Sequence, residues 1–251
     1  MYKTVIDAVR DAGVLLRNNC DSKIRYTLKE KQSYVTAFDT QIEKLIIKTL
    51  TAVYPSHTVY SEESGIMPNS SEFEWYIDPL SNTRNFIHGL PGFAVAVGLI
   101  RNKKPIFGVV YDPMLDELYI GQKHTGAFCN GKKISVSRRP FGEHAFINVD
   151  WQKRRGKAKI EEGVRLFTSL GRRCTVRAIG SVALTICYVA HGRLEAMVNN
   201  YSDRYAIVPA WSIIKEAGGE ILDLDGRAWT LDSESTLVTN QKSTKAILAC
   251  I

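Results

Sequence analysis

Apolar positions along the chain change their period, and with it the element they predict. Over residues 2–19, Val5, Ala8, Val9, Ala12, Leu15 and Leu16 fall at helical spacing and predict an amphipathic helix. Residues 21–33 are polar and basic and read as a loop or short hairpin. A second helix is expected to start at Val35-Thr36-Ala37-Phe38-Asp39 and to continue through Ile42, Leu45, Ile46 and Leu50. Past the Tyr54-Pro55-Ser56-His57 turn, 58–61 reads as a strand and 65–72 as a mostly polar loop. The apolar run 93–100 reads as a buried strand. It opens a meander with 105–112, 117–122 and 126–132, whose turns are marked by Asn102-Lys103-Lys104, Asp112-Pro113 and Asn130-Gly131. From about Phe141, strands at 145–150, 174–178 and 194–198 alternate with helices at 161–170, 181–190 and 207–217. His191-Gly192 and Gly218-Gly219 close two of those helices, and 220–223 starts a last hairpin. That alternation implies an α/β layer. The expectation is an α+β half over 1–140 and an α/β half over 141–251, joined in one compact unit, as 251 residues allow.

Composition narrows the class. Hydrophobic residues make up 45% and charged residues 24%, as in ordinary soluble chains. No apolar run is long enough for a membrane span. The start, Met1 to Asp7, has an early acid and no apolar stretch, so no signal peptide is expected. Five scattered cysteines without C-x-x-C spacing read as reduced thiols, and a cytoplasmic location follows as an expectation. The net charge of +7 is uneven, with thirteen Lys/Arg against four Asp/Glu between Lys132 and Arg177. Such a stretch suits an acidic partner, nucleic acid or protein, although a solvated basic surface is the simpler explanation. The cluster Lys153-Arg154-Arg155-Gly156-Lys157-Ala158-Lys159 carries no interleaved aromatics, so base stacking is not indicated.

Candidate chemistry concentrates between Val59 and Leu99. Glu62 and Asp78 lie at the ends of two short apolar strands, and the turn after Asp78 offers the Thr83 hydroxyl and backbone N–H groups. Carboxylates beside such a turn suit a hard cation and a phosphate: Mg²⁺ takes one or two carboxylates plus substrate oxygens, and N–H groups at a helix start take phosphate. His57, His124, His144 and His191 show no ligand spacing in the sequence. No G-x-S-x-G or Walker A segment is present.

The segment Trp75-Tyr76-Ile77-Asp78-Pro79-Leu80-Ser81-Asn82-Thr83-Arg84-Asn85-Phe86-Ile87-His88-Gly89 resembles the metal-binding signature of the inositol monophosphatase family, roughly W-x-(I/V)-D-P-(L/I)-D-G-T-x-N-F-x-H-G. Glu62-Glu63-Ser64 resembles the family's G-E-E-S with Ser61 for Gly, Val35 to Asp39 its V-T-x-x-D, and 105–132 its strand meander. The resemblance covers essentially the whole chain. It implies an α/β/α/β/α sandwich, a homodimer, Mg²⁺, and a small phosphorylated polyol or sugar as substrate. It further implies that Glu62, Asp78 and the Leu80 carbonyl hold one ion. By the same likeness, Thr83 donates to Asp39, and Thr83, Asp39 and Glu62 form the catalytic set. Positions 81, 82, 83 and 199 (here Ser81, Asn82, Thr83 and Asn199) would meet phosphate or substrate. His88 is read as packing the turn.

The departures bear on activity. Ser81 stands for an Asp and Asn82 for a Gly. In the C-terminal pattern W-D-x-A-A-G…E-A-G-G, counting from Gly192 and back from Gly218-Gly219 both reach position 206, which is Ala206 where the family has Asp; Tyr205 replaces the Trp. Asn199 falls at a Glu that contacts substrate hydroxyls in inositol-type members. The resemblance implies a second ion held by Asp78 and by the two Asp residues that Ser81 and Ala206 replace, so both losses strike one ion; Asp203, three residues upstream, could serve if the loop were reshaped. Losing two carboxylates on the leaving-group side is expected to slow a two-ion hydrolysis on the order of 10³-fold. Arg84 and Arg204 are the side chains able to supply positive charge instead. Asn82 raises the question of whether backbone can still approach phosphate. Two readings follow: an impaired Mg²⁺-dependent phosphoric monoester hydrolase that still binds its ligand, or a non-catalytic binding or regulatory protein using the basic half for RNA or an acidic protein.

Overall fold

The computed structural model describes residues 2–20, 23–29, 33–151 and 156–251. Helix α1 (Lys3–Arg17) leads to the hairpin β1 (Tyr26–Lys29) and β2 (Ser33–Thr36), then α2 (Ala37–Val53). β3 (Thr58–Ser61), β4 (Gly65–Met67), β5 (Phe73–Ser81) and the short α3 (Thr83–Ile87) follow. The meander is β6 (Ala94–Arg101), β7 (Lys104–Asp112), β8 (Glu117–Gln122), β9 (Gly126–Cys129) and β10 (Lys132–Lys133). Next come β11 (Phe146–Asp150), α4 (Lys157–Gly171), β12 (Thr175–Arg177), α5 (Val182–Ala190) and β13 (Ala196–Asn199). The chain ends with α6 (Arg204–Glu216), β14 (Glu220–Leu222), β15 (Thr236–Thr239) and α7 (Thr244–Leu248).

Two sheets organise these elements. One has eight strands in the order β10-β9-β8-β7-β6-β5-β3-β4, the other five in the order β12-β11-β13-β15-β14. Alternation along β6 assigns the faces of the large sheet. Val95, Val97 and Leu99 meet α1 and α2 through Val5, Val9, Leu16, Ile42 and Ile46. Ala94 and Ala96 point the other way, into a core with Leu184 and Ile186 of α5 and Ile207 and Ile213 of α6. Met197 and Val238 of the small sheet close that core from the far side. The small sheet's outer face, with Ile147, Val198 and Leu237, is covered by Leu166 and Leu170 of α4 and Ile247 of α7. The layers therefore run α/β/α/β/α, as the resemblance implied.

α6 lies unusually close to the large sheet because three glycines make room for it. Gly98, Gly108 and Gly121 are register partners across β6, β7 and β8. A Cβ at Gly108 would sit 1.9 Å from the carbonyl oxygen of Pro209, and one at Gly98 would sit 2.6 Å from the Pro209 nitrogen. A Cβ at Gly121 would come 2.4 Å from the nitrogen of Ile213. Pro209, inside α6, has no N–H to give to its own helix.

Several boundaries differ from the pattern-based expectation. Val35 and Thr36 belong to β2, not to the second helix. Thr36 caps α2: its Oγ1 accepts from Phe38 N at 3.1 Å, while its own N–H donates to Asp39 Oδ2 at 2.7 Å. That reciprocal box starts the helix at Ala37. Residues 65–67 of the expected loop form edge strand β4, paired to β3. α4 begins at Lys157, four residues early, and α6 at Arg204, three residues early, because Asp203 caps it. Lys153, Arg154 and Arg155 of the basic cluster lie outside the described residues, as do parts of 21–33. Part of the remaining basic charge is paired: Lys159 with Glu162 at 2.7 Å, and Arg139 with the buried Glu195 at 2.7 Å.

Candidate metal and phosphate site

β3 and β5 run parallel, with Ser61 opposite Ile77, so the next residue on each chain path is a carboxylate: Glu62 and Asp78. The Glu62 N–H donates to the Ile77 carbonyl at 3.3 Å, which keeps the pair side by side at the strand ends. α2 fixes the turn from below. Glu43, 1% exposed, accepts the N–H groups of Glu63 and Ser64 at 3.0 Å each, and the hydroxyls of Ser61 and Ser64. One helical turn earlier, Asp39 is equally buried. Its Oδ2 accepts from Thr36, and its Oδ1 lies 3.1 Å from Thr83 Oγ1. That hydroxyl is also 3.1 Å from the Leu80 carbonyl, and its single proton serves one acceptor at a time.

Asn82 explains how the turn tolerates a side chain. Its backbone is left-handed, at φ 68° and ψ 56°, where glycine is the default and Asn the best-suited substitute. Its amide donates to the carbonyl of Gly92 at 3.0 Å and faces that of Ile179 at 3.4 Å, so it ties the turn to the C-terminal half. Ser81 does likewise: its Oγ is 3.0 Å from Oγ of Ser181, the N-cap of α5.

Together these elements wall a cavity of about 390 Å³. Glu62, Asp78, Leu80, Ser81, Asn82 and Thr83 form one side; Ala206, Tyr201 and Asp203 come from α6 and the loop before it; Asp150 and Gly180 come from the β11 side. Asp203 accepts from the Tyr205 N–H at 3.0 Å. Asp150 is held by Asn148 Nδ2 at 2.7 Å and the Gly180 N–H at 3.2 Å, and burial raises its carboxyl above the usual range despite those bonds. Arg84 lines the cavity and stands 5.0 Å from the Tyr34 ring, whereas Arg204 lies over Tyr205 and Tyr60, at 5.5 and 5.9 Å.

Electrostatics centre on Asp78. It is 3% exposed, and its Oδ1 has no hydrogen-bond partner among the described residues. Burial pushes its carboxyl up to about 8; Asp203 and then Asp39 add to the rise, while Ser81 and Glu62 oppose it. An orphaned buried carboxylate oxygen among other carboxylates, a hydroxyl and a carbonyl is a hard, all-oxygen donor set that fits Mg²⁺. The N-termini of α5 and α6 add partial positive charge suited to an anion.

The sequence expectations meet this geometry unevenly. Glu62, Asp78, Leu80, Ser81, Asn82, Thr83 and Ala206 converge on the cavity, with Asp39 directly behind Thr83. Asn199 does not reach it: at the end of β13 it is 1% exposed with its amide unpartnered, and Tyr201, two residues on, takes the wall instead. Glu43 and Asp150 were not singled out by their spacing. Glu43 was detectable as the second acid, at i and i+4 with Asp39, on the buried face of α2. Asp150 carried no such signal. His191, without ligand spacing in the sequence, does meet Glu117 and Cys129 in space, with ligand atoms within 4.8 Å. Glu117 there already accepts from Arg193 and, at 2.6 Å, from Tyr119, so its oxygens serve an ion pair.

The model of the inositol monophosphatase family matches residues 1–251. Inositol monophosphatase 1 of Sus scrofa is 32% identical over 249 residues, covering 95% of this chain and 88% of that protein. Fructose-1,6-bisphosphatase/inositol-1-monophosphatase of Aquifex aeolicus is 34% identical over 210 residues, covering 82% and 79%. Among solved structures, the extragenic suppressor protein suhB of Bartonella henselae superposes with a TM-score of 0.92 at 25% identity, covering 99% of this chain and 96% of that one. With a whole-length family match, relatives above 30% identity and the same layered fold, the chain belongs to the inositol monophosphatase family.

Proposed function

We propose that the cleft binds Mg²⁺ together with a small phosphate monoester of a polyol or sugar, and hydrolyses it slowly. The observation that carries this reading is the buried, unpartnered Oδ1 of Asp78 inside an oxygen-lined cavity of small-ligand size. Glu62, Asp78 and the Leu80 carbonyl would hold the ion. When bound, Mg²⁺ supplies charge to phosphoryl oxygens and acidifies its own water. The chain's residues orient the rest. With Thr83 donating to Asp39, the Thr83 oxygen is left to accept a hydrogen bond from a water and so to orient it. The names of the relatives, an inositol monophosphatase and a fructose-1,6-bisphosphatase/inositol-1-monophosphatase, support the substrate class. Ser81 and Ala206 leave the leaving-group side short of two carboxylates, which is the basis for a slow rate.

Phosphate release from inositol, sugar and nucleotide monophosphates, with Mg²⁺ and with EDTA, tests this. Wild type should turn over slowly and only with Mg²⁺. Ser81→Asp with Ala206→Asp should raise kcat about 10²- to 10³-fold. A wild type as fast as the double variant refutes the impairment. The basic stretch favours a second reading, a regulatory protein for an acidic partner. Arg165, Arg172 and Arg173 line a groove of about 650 Å³ along α4. Silence of both proteins on every ester, with RNA or an acidic protein bound through that groove, would support it.

A further inference from the structure

We infer that Asp203 replaces the wall lost at Ala206 and holds a second divalent cation against Asp78. This rests on the reading of the cleft as a Mg²⁺ site and extends it to a residue outside the family pattern. Asp203 is the N-cap of α6 and Ala206 is the third residue of its first turn. In such a turn the cap side chain folds back over the residues that follow, reaching the N–H groups of the second or third. Here it takes the Tyr205 N–H at 3.0 Å. A carboxylate at position 203 therefore hangs over the same first turn from which one at 206 would project. Both residues line the one cavity. Ala206, 3% exposed, offers the cavity wall only a methyl group.

The partner for a cation is already in place. Asp78 Oδ1 is buried without a hydrogen bond, on the same cavity. A carboxylate offers about four lone-pair sites, so capping a helix N–H and ligating a cation are compatible roles for one side chain. Mg²⁺ keeps several waters and takes the rest from substrate phosphate, so two carboxylates suffice for such an ion.

Asp203→Asn separates ligation from capping. Asn caps a helix as well as Asp but lacks the anionic oxygen pair. Bound Mn²⁺, used as the probe, is counted by the electron paramagnetic resonance of free ion in the presence of saturating inorganic phosphate. Wild type should hold two ions. Asp203→Asn should hold one, with the second weakened by at least the ~10-fold that losing even an outer partner costs, and should melt in EDTA like wild type. Adding Ala206→Asp to that variant should return the second ion. Two ions at wild-type affinity in Asp203→Asn would overturn the inference. So would a single ion in wild type that the substitution leaves alone, an outcome under which the Mg²⁺ reading stands. No bound ion in wild type would overturn both.

Discussion

Glu43 and Asp39 stand one turn apart on α2 and hold the two loops of the cleft. Neither needs to touch a ligand to matter. Glu43 gathers two N–H groups and two hydroxyls of the turn after β3, and so sets where Glu62 leaves the sheet. Glu43→Ala would leave buried donors unmatched, at about 1–3 kcal/mol of stability. It should also weaken Mg²⁺ binding about 10- to 100-fold through the displaced Glu62. Isothermal titration with Mg²⁺ measures this, and unchanged affinity in a folded variant would remove Glu43 from the site. Asn82 gives the converse case. A departure from the family's Gly keeps the left-handed turn, because Asn tolerates that conformation and directs its amide at two carbonyls. The residue type was readable; the direction of its side chain was not, since Gly92 lies ten residues on and Ile179 ninety-seven.

At the scale of elements, α6 sets how close the C-terminal wall comes to Asp78. Its approach depends on the glycine track of β6, β7 and β8. Gly108→Ala would drive a methyl group into the Pro209 carbonyl. The cost is expected at about 3 kcal/mol, toward the upper end for overpacking. For a chain of this size that lowers Tm by about 6–12 °C, readable by calorimetry. A Tm within a degree of wild type would mean α6 moves away freely. Periodicity placed most elements within a few residues. The misses fell at α2, where β2 takes the first residues, at the loop that becomes β4, at α4, which starts four residues early, and at α6, where the Asp203 cap sets the start three residues early. Caps are local hydrogen-bond choices that hydrophobic spacing does not encode.

For the whole molecule, stability should depend on pH through His57. Trp75 Nε1 donates to its Nδ1 at 3.0 Å, and its ring stacks on Phe73 and Tyr54 at 4.6 and 5.0 Å. Burial holds His57 below its ordinary value, so the unfolded chain takes the proton more readily. The stability it contributes is complete above about pH 6.5 and is lost as pH falls through the lower folded value. Urea midpoints should therefore drop from pH 7.5 to pH 5, and less steeply in His57→Phe, which keeps the stack without a proton site. Equal slopes in the two proteins would exclude His57 as the source.

Read without coordinates, the chain already specifies the alternation of strands and helices, the signature around Asp78, and the two carboxylates missing at 81 and 206. Those are properties of neighbours along the backbone: periodicity sets which face is buried, and a motif of adjacent residues survives in any fold that uses it. Folding alone decides what surrounds the cavity. Asp203, Asp150 and Tyr201 join Asp78 there, Asn199 is withdrawn into the core, and Glu43 anchors a turn eighteen or more residues away. The reason is distance. Cap direction, sheet register and the close seating of α6 on bare glycine backbone combine segments more than a hundred residues apart. Only packing fixes which of their side chains share one volume.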